Sequence, residues 1–199
     1  MLAERFCMPE GMKKKTDDML YSEETLQLPN TLKHCGYVYE DPFKKIEKIQ
    51  ADFGGFKKEY YVSDFGPKAA LVVIHDGKVL LTRQYRLFLN GLSMEIPAGK
   101  VNENESPEVA CLRECYEETG VKCGNPKALL NYNPDLEYTR NYTQIYYTDE
   151  VLELPRDSKT HLWLSLDTCY EYIFEEKISD SLSLIALLGF CKKFGNTLK

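Results

Sequence analysis

The stretch GKVNENESPEVACLRECYEETGV, from Gly99 to Val121, places Glu114, Glu117 and Glu118 within five residues of one another. Its boundaries are marked. Ser106, Pro107 and Glu108 read as N-cap, first helical residue and first-turn acid, and Gly120 reads as the C-terminal stop. The spacing predicts a helix from Pro107 to Glu118 or Thr119. At about 100° per residue, with Glu114 at zero, Glu118 falls near +40° and Glu117 near −60°. The three carboxylates therefore share an arc of about 100°. Val109, Leu112 and Tyr116 gather on the opposite side and are expected to pack on a sheet. Ala110 and Cys111 fall on the carboxylate side, where their small size leaves room for something to approach.

Like charges at that spacing repel. A solvated helix face usually interleaves lysines for i,i+4 support, but this one carries a single cation, Arg113, placed to pair with Glu117. If the face is partly buried, two carboxylates about 5.5 Å apart repel by about 3 kcal/mol at an effective dielectric near 20. A divalent cation with oxygen ligands removes that cost, and Mg²⁺ favours carboxylates together with waters and substrate phosphates. Geometry alone leaves an idle acidic face and a metal site both open.

The chain around this helix reads as an α/β domain with an N-terminal extension. Residues 1–30 are polar and aperiodic, a flexible lead-in, and Met12 or Met19 is an alternative start. The run Lys13-Lys14-Lys15 reads as solvated chain. Residues 31–66 form a strand region, with Asp52 to Gly55 as a turn and Tyr60, Tyr61 and Val62 supplying β-propensity. Residues 67–199 form the main domain. There, AALVVIHDGKVLLTRQYR is two strands around Asp76-Gly77. LSMEIPAGKV is a short strand entering a loop. ALLNY, NYTQIYYT and HLWLSL follow the central helix as strands. A second helix is expected to start at an Asp167 N-cap, and a third, capped by Asp180 or Ser181, to end at Gly195. Strands mixed with three separated helices argue a sheet sandwiched by helices.

Totals narrow the function classes. The net charge of −6 disfavours a nucleic-acid or anionic-membrane surface. The seven cysteines include no CxxC, so free thiols in a reducing cytosol are the simplest reading, with Cys111 and Cys115 buried and inert. His75 and His161 read as structural. No signal-peptide pattern opens the chain, and the run from Leu184 to Phe190 is too short to cross a bilayer. The protein reads as soluble and cytoplasmic.

Spacing then singles out a family. Gly99, Glu105, Arg113, Glu114, Glu117, Glu118 and Gly120 occupy all seven fixed positions of GX5EX7REUXEEXGU, where U is a bulky aliphatic. The sequence resembles the Nudix hydrolases, and its one departure is Cys115 at a U position, a small hydrophobe there. The resemblance implies a Nudix α/β/α sandwich with a mixed sheet, here preceded by an antiparallel strand extension. It implies a loop–helix–loop that holds Mg²⁺, or Mn²⁺, against a diphosphate. Glu114 and Glu118 would be the principal metal ligands, Glu117 a further one, and the carbonyl of Ala98 would complete the set. Arg113 and Glu105 would orient the glutamates. The reaction implied is attack of water at phosphorus.

Beyond this motif (the Nudix box), RQYR (Arg83 to Arg86), MEIPAGKV (Met94 to Val101) and FEEKISDSLSLIALL resemble the ADP-ribose and nucleotide-sugar pyrophosphatase branch. By that resemblance ADP-ribose would yield AMP and ribose 5-phosphate, and the N-terminal strands would help to form a homodimer. Arg86, Glu95 and Arg83 would engage substrate or the dimer partner. The branch often carries a glutamate in a later loop, in a motif close to SPGxxxE. Here the loop is NPDLEYTRNYTQIYY, with Pro134 matching, Thr139 near the expected glutamate and Glu137 two residues early. Glu137 could act as base through a different loop conformation; otherwise a box glutamate or metal-bound hydroxide suffices. Tyr132, Tyr138 and Tyr142 could stack on a base or ribose, or simply pack. GDP-mannose or another nucleotide sugar is the alternative substrate, and an RNA 5′-pyrophosphohydrolase is a further alternative, disfavoured by the acidic total. An inactive ligand-binding Nudix module is the non-enzymatic alternative, and it would be expected to have lost box glutamates.

Overall fold

Period-two alternation on β2 (Lys45–Asp52), with Glu47, Ile49 and Ala51 buried, organises the first strands. It lies between β1 (Thr31–Glu40) and β3 (Lys57–Asp64), antiparallel to both. The β2–β3 turn closes where the sequence placed it. Phe53 N–H donates to Phe56 O at 3.0 Å, and the Asp52 carboxylate accepts from Gly54 N–H at 2.8 Å. The computed structural model describes residues 28–42, 44–156 and 161–195. The lysine run, the alternative start methionines and most of the expected lead-in lie outside these residues. The described chain forms two units, which divide between Asp64 and Phe65.

The second unit is built on β4 (Lys68–His75), whose Ala69 to Ile74 are all buried. It turns through Asp76 and Gly77, at φ 47° and 70°, into β5 (Lys78–Arg86). Positive φ at both central residues is what a type I′ hairpin requires. Next come β6 (Gly91–Glu95) and β7 (Ala98–Lys100), then α1 (Pro107–Thr119), β8 (Lys122–Cys123), β9 (Lys127–Tyr132) and β10 (Thr139–Arg140). The chain continues through β11 (Thr143–Thr148), β12 (Val151–Glu153), β13 (His161–Ser165), α2 (Leu166–Phe174) and α3 (Ser181–Phe194). The main sheet runs β13-β5-β4-β11-β9, with β6 on β5 and β7 on β4. Only β4 and β11 are parallel among its pairs, so the sheet is mixed.

Alternation on β4 sets the layers. Ala70, Val72 and Ile74 face Ala186, Leu187 and Phe190 of α3 and Cys169 of α2. Ala69, Leu71 and Val73 face Ala110, Cys111 and Cys115 of α1. The expected α/β/α sandwich is therefore present, with the core on both faces of one strand.

Two local expectations need correction. The second helix is capped by Ser165, whose hydroxyl accepts from Thr168 N–H at 3.0 Å, and Asp167 lies in its first turn. Leu166 packs against the core, so the helix begins as soon as β13 ends. The central helix has the expected ends, with Ser106 as N-cap and Gly120 as the left-handed C-cap at φ 73°. Its buried face differs. Val109 and Tyr116 are 56% and 57% exposed, whereas Ala110, Cys111 and Cys115 are fully buried; of the expected face only Leu112 packs, in part, against the core. Small side chains let the helix approach β4 closely, and that dense contact outweighs burying a tyrosine.

Candidate active site

This rotation decides the site. On the same angular scale the buried residues of α1 centre near +60°, so Glu118 and Glu114 lie within the sheet-facing arc and Glu117 at its margin. Exposure follows: the Glu114 side chain is 15% exposed and that of Glu117 55%.

Arg113 organises the outer part. Its Nε and Nη2 donate to the two oxygens of Glu105 at 2.8 and 2.9 Å. Nη1 donates to Glu114 at 2.8 Å and Glu117 at 3.0 Å, and Nη2 also donates to the Lys100 carbonyl at 2.8 Å. One guanidinium thus ties three carboxylates to the strand before the helix, as its planar fork allows. The Arg113 bonds, helped by Asn102 N–H, hold the Glu105 carboxyl down at about 2. Glu105 also accepts from Asn102 N–H at 2.9 Å, closing the loop between β7 and α1.

Glu118 is held differently. One oxygen accepts from Ala98 N–H at 3.2 Å and the other from the Gln84 side-chain amide. Burial pushes its carboxyl up to about 7; the two hydrogen bonds oppose that shift, and the charges of Glu114 and Glu95 add to it. Gly99 completes the arrangement, because a Cβ there would overlap the Glu114 carboxylate. The glycine of the motif is a space requirement.

The donor set fits a hard divalent cation. Glu118 is a carboxylate pushed toward neutrality by burial and by neighbouring negative charge, and a cation among these oxygens would relieve both. Among the described residues no three acidic, histidine or cysteine side chains already converge as a cage. Glu114 and Glu117 turn to Arg113, whereas Glu118 turns to Gln84 and Ala98. Ala98 meets the site through its N–H.

Beside Ala98 lies a polar pocket of about 140 Å³, whose walls include Arg86, Glu95, Tyr132 and Pro134. Arg86 clasps Glu95 through Nε, at 2.7 Å to Oε1, and through Nη2 to Oε2. Glu95 is 5% exposed, so the pair fixes a guanidinium at the pocket wall. Arg83 is exposed and lies one residue from Gln84 on β5, which sends its side chain to the opposite face. Glu137 is exposed in the loop after β9, where its N–H and that of Tyr138 donate to Asp135 Oδ1. Tyr132 reaches the pocket and donates to Ser181, Tyr138 is half exposed, and the buried Tyr142 hydroxyl has no partner among the described residues. His161 is buried at the edge of the main sheet. Burial pushes the Cys111 thiol up to about 12, and contact with Cys123, followed by burial, pushes that of Cys115 upward, which disfavours a thiolate at either position.

Sequence reasoning missed two groups. Gln84 sits two residues from Arg86, and strand alternation alone would have put both on one face. Ser183 is fully buried and accepts from Ile96 N–H at 3.0 Å, locking α3 to the link between β6 and β7; no local signal marks it.

Comparison with known proteins gives a consistent picture. The NUDIX domain family model matches residues 66–177. A methanol dehydrogenase activator of Bacillus methanolicus is 29% identical over 150 residues, covering 72% of this chain and 81% of that protein. An ADP-ribose pyrophosphatase of Bacillus subtilis is 29% identical over 142 residues, covering 70% and 73%. The crystal structure of an ADP compounds hydrolase superposes with a TM-score of 0.72 at 16% identity, covering 88% of this chain and 99% of the other, and shares its fold.

Proposed function

This chain belongs to the NUDIX domain family and is a hydrolase, and from that premise we propose that it cleaves the diphosphate of ADP-ribose to give AMP and ribose 5-phosphate. The observation that carries this reading is the shared residue Ala98. Its amide holds Glu118, and the same residue lines the polar pocket that presents Arg86. A carboxylate cluster for a cation and a cavity for part of an esterified diphosphate are thus contiguous. The name of the Bacillus subtilis relative supports the choice of ADP-ribose. Other nucleotide sugars share the same chemistry and form the second substrate class.

Glu114 and Glu118 would hold Mg²⁺, or Mn²⁺ in its place, with Glu117 at the exposed margin. When bound, the ion would polarise a phosphoryl oxygen and neutralise charge on the leaving phosphate. The remaining work belongs to side chains. Arg113 fixes the direction of Glu114 and Glu117 and keeps Glu105 ionised. Gln84 and the Ala98 amide aim Glu118. Arg86 spends one edge on Glu95, and its Nη1 lies outside that pair, available to donate to a diphosphate oxygen. A box glutamate serves as base; loss of activity in Glu137→Gln with intact metal binding would transfer that role to Glu137.

In this reading the enzyme is a cytoplasmic homodimer. Tyr37, Val38 and Tyr39 of β1 stand 52%, 54% and 49% exposed, an apolar strand suited to a second copy. Light scattering tests the dimer. Among the described residues no helix is long and apolar enough to cross a membrane. The deciding experiment is a Mg²⁺-dependent hydrolysis panel over ADP-ribose, GDP-mannose, other nucleotide sugars and 5′-triphosphorylated RNA, run beside Glu118→Gln. Selective release of AMP and ribose 5-phosphate from ADP-ribose, lost in the variant, is the expected result. Turnover of a different member moves the substrate, and turnover of none sinks the reading.

A further inference from the structure

Lys68 opens β4 and lines the pocket beside Arg86, Glu95 and Ala98. Its backbone is fixed, because its N–H donates to Tyr142 O at 2.8 Å and its register partners are Lys100 on β7 and Thr143 on β11. The other charged groups of the pocket are engaged. Arg86 and Glu95 hold each other. Asp180 accepts from both the N–H and the hydroxyl of Ser183, each at 2.8 Å. Among the described residues, no carboxylate forms an ion pair with the Lys68 ammonium. Lys68 is half-buried as a residue, and an ammonium without a fixed counterion favours a mobile anion in the space beside it.

The rest of the pocket indicates what that anion is attached to. Asn141 and Ser181 line it with an amide and a hydroxyl; the buried Thr143 hydroxyl donates to Asn141 Oδ1 at 3.1 Å, and the Tyr132 hydroxyl donates to Ser181 at 3.0 Å. Such walls can both donate to and accept from a polyol. Tyr132 is the one aromatic wall, which offers a nucleobase no stacking partner on its second face. The volume of about 140 Å³ is below the roughly 300 Å³ at which sites for drug-sized ligands begin, so the pocket takes one moiety of a larger molecule.

We propose that this pocket is the subsite for the sugar phosphate and that Lys68 binds the phosphate that departs with the sugar. The inference rests on the diphosphate-cleaving reading above and names the half of the substrate that enters here. Ala98 links the pocket to Glu118, and Arg86 lines the same pocket as Lys68.

Calorimetric titration of the full chain in Mg²⁺ with ribose 5-phosphate, ribose and AMP tests this. Lys68→Met should weaken ribose 5-phosphate by about tenfold or more, toward the level of ribose, because it loses one charge-assisted contact. AMP should stay within about twofold, which also reports that the variant is folded. Lys68→Arg should retain ribose 5-phosphate binding. Equal loss of AMP and ribose 5-phosphate would place Lys68 on a phosphate position common to both products and overturn the subsite. Unchanged ribose 5-phosphate binding in Lys68→Met, or none to the unaltered protein, overturns it as well. The two proposals fail separately. Lys68-dependent binding of ribose 5-phosphate without hydrolysis of ADP-ribose leaves the subsite standing and removes the substrate assignment. Hydrolysis with Lys68-independent binding does the reverse.

Discussion

The carboxylate of Glu114 lies over Gly99, in the space that a β-carbon would occupy. Gly99 belongs to β7 and Glu114 to α1, so the strand and the helix meet where one of them has no side chain. Gly99→Ala must push Glu114 off its Arg113 bond or lift the helix. Activity should fall by about 100-fold, the usual cost of misplacing a reacting group by an ångström. Steady-state kinetics over a Mg²⁺ titration checks this, and full activity at ordinary Mg²⁺ would refute the spatial account.

Arg113→Lys should behave as a loss of function. An ammonium cannot make the two-pronged contact with Glu105 while also reaching Glu114, Glu117 and the Lys100 carbonyl. Partners that orient metal ligands typically contribute about 10- to 100-fold in affinity or activity, and a loss of that size is expected here. The readout is the Mg²⁺ concentration for half-maximal rate, which should rise. A fall in thermal stability alone, with unchanged Mg²⁺ dependence, would assign Arg113 a purely structural role.

Glu118 gives a pH dependence with a defined sign. Its carboxyl lies at about 7 in the folded chain, raised mainly by burial from an ordinary 4.5. Between those values the folded state holds a proton that the unfolded state has released. The contribution to stability is therefore full below the ordinary carboxylate value and is lost as pH rises toward 7. Urea unfolding in chelator should show stability declining from pH 5 to 7, a slope that Glu118→Gln removes. Apparent affinity for Mg²⁺ should rise over the same window, because the ion competes with that proton.

The packing of α1 makes a paired prediction about stability. Ala110 is fully buried against the sheet, so Ala110→Leu should overpack the contact and destabilise by about 1–3 kcal/mol. Tyr116→Ala, on the exposed face, should stay within about 0.5 kcal/mol. Denaturant midpoints separate the two. A large loss in Tyr116→Ala would restore the face that hydrophobicity alone suggested.

That contrast shows where sequence reading stopped. By itself the sequence determined the family, the ends of α1 and the Asp76-Gly77 hairpin, and it narrowed the α3 cap to Asp180 or Ser181. Each is local: a cap bonds three residues away, a turn is set by two φ angles, and the box is a fixed spacing on one helix. The tertiary structure alone decided which side of α1 is buried, that Gln84 and Ala98 hold Glu118 from 34 and 20 residues away, and that Lys68 lines the pocket beside Arg86 and Glu95. Amphipathic patterning counts the hydrophobicity of a helix in isolation. A helix in the fold is scored on how closely its backbone approaches the sheet, and three small residues beside the glutamates won that competition against a valine and a tyrosine.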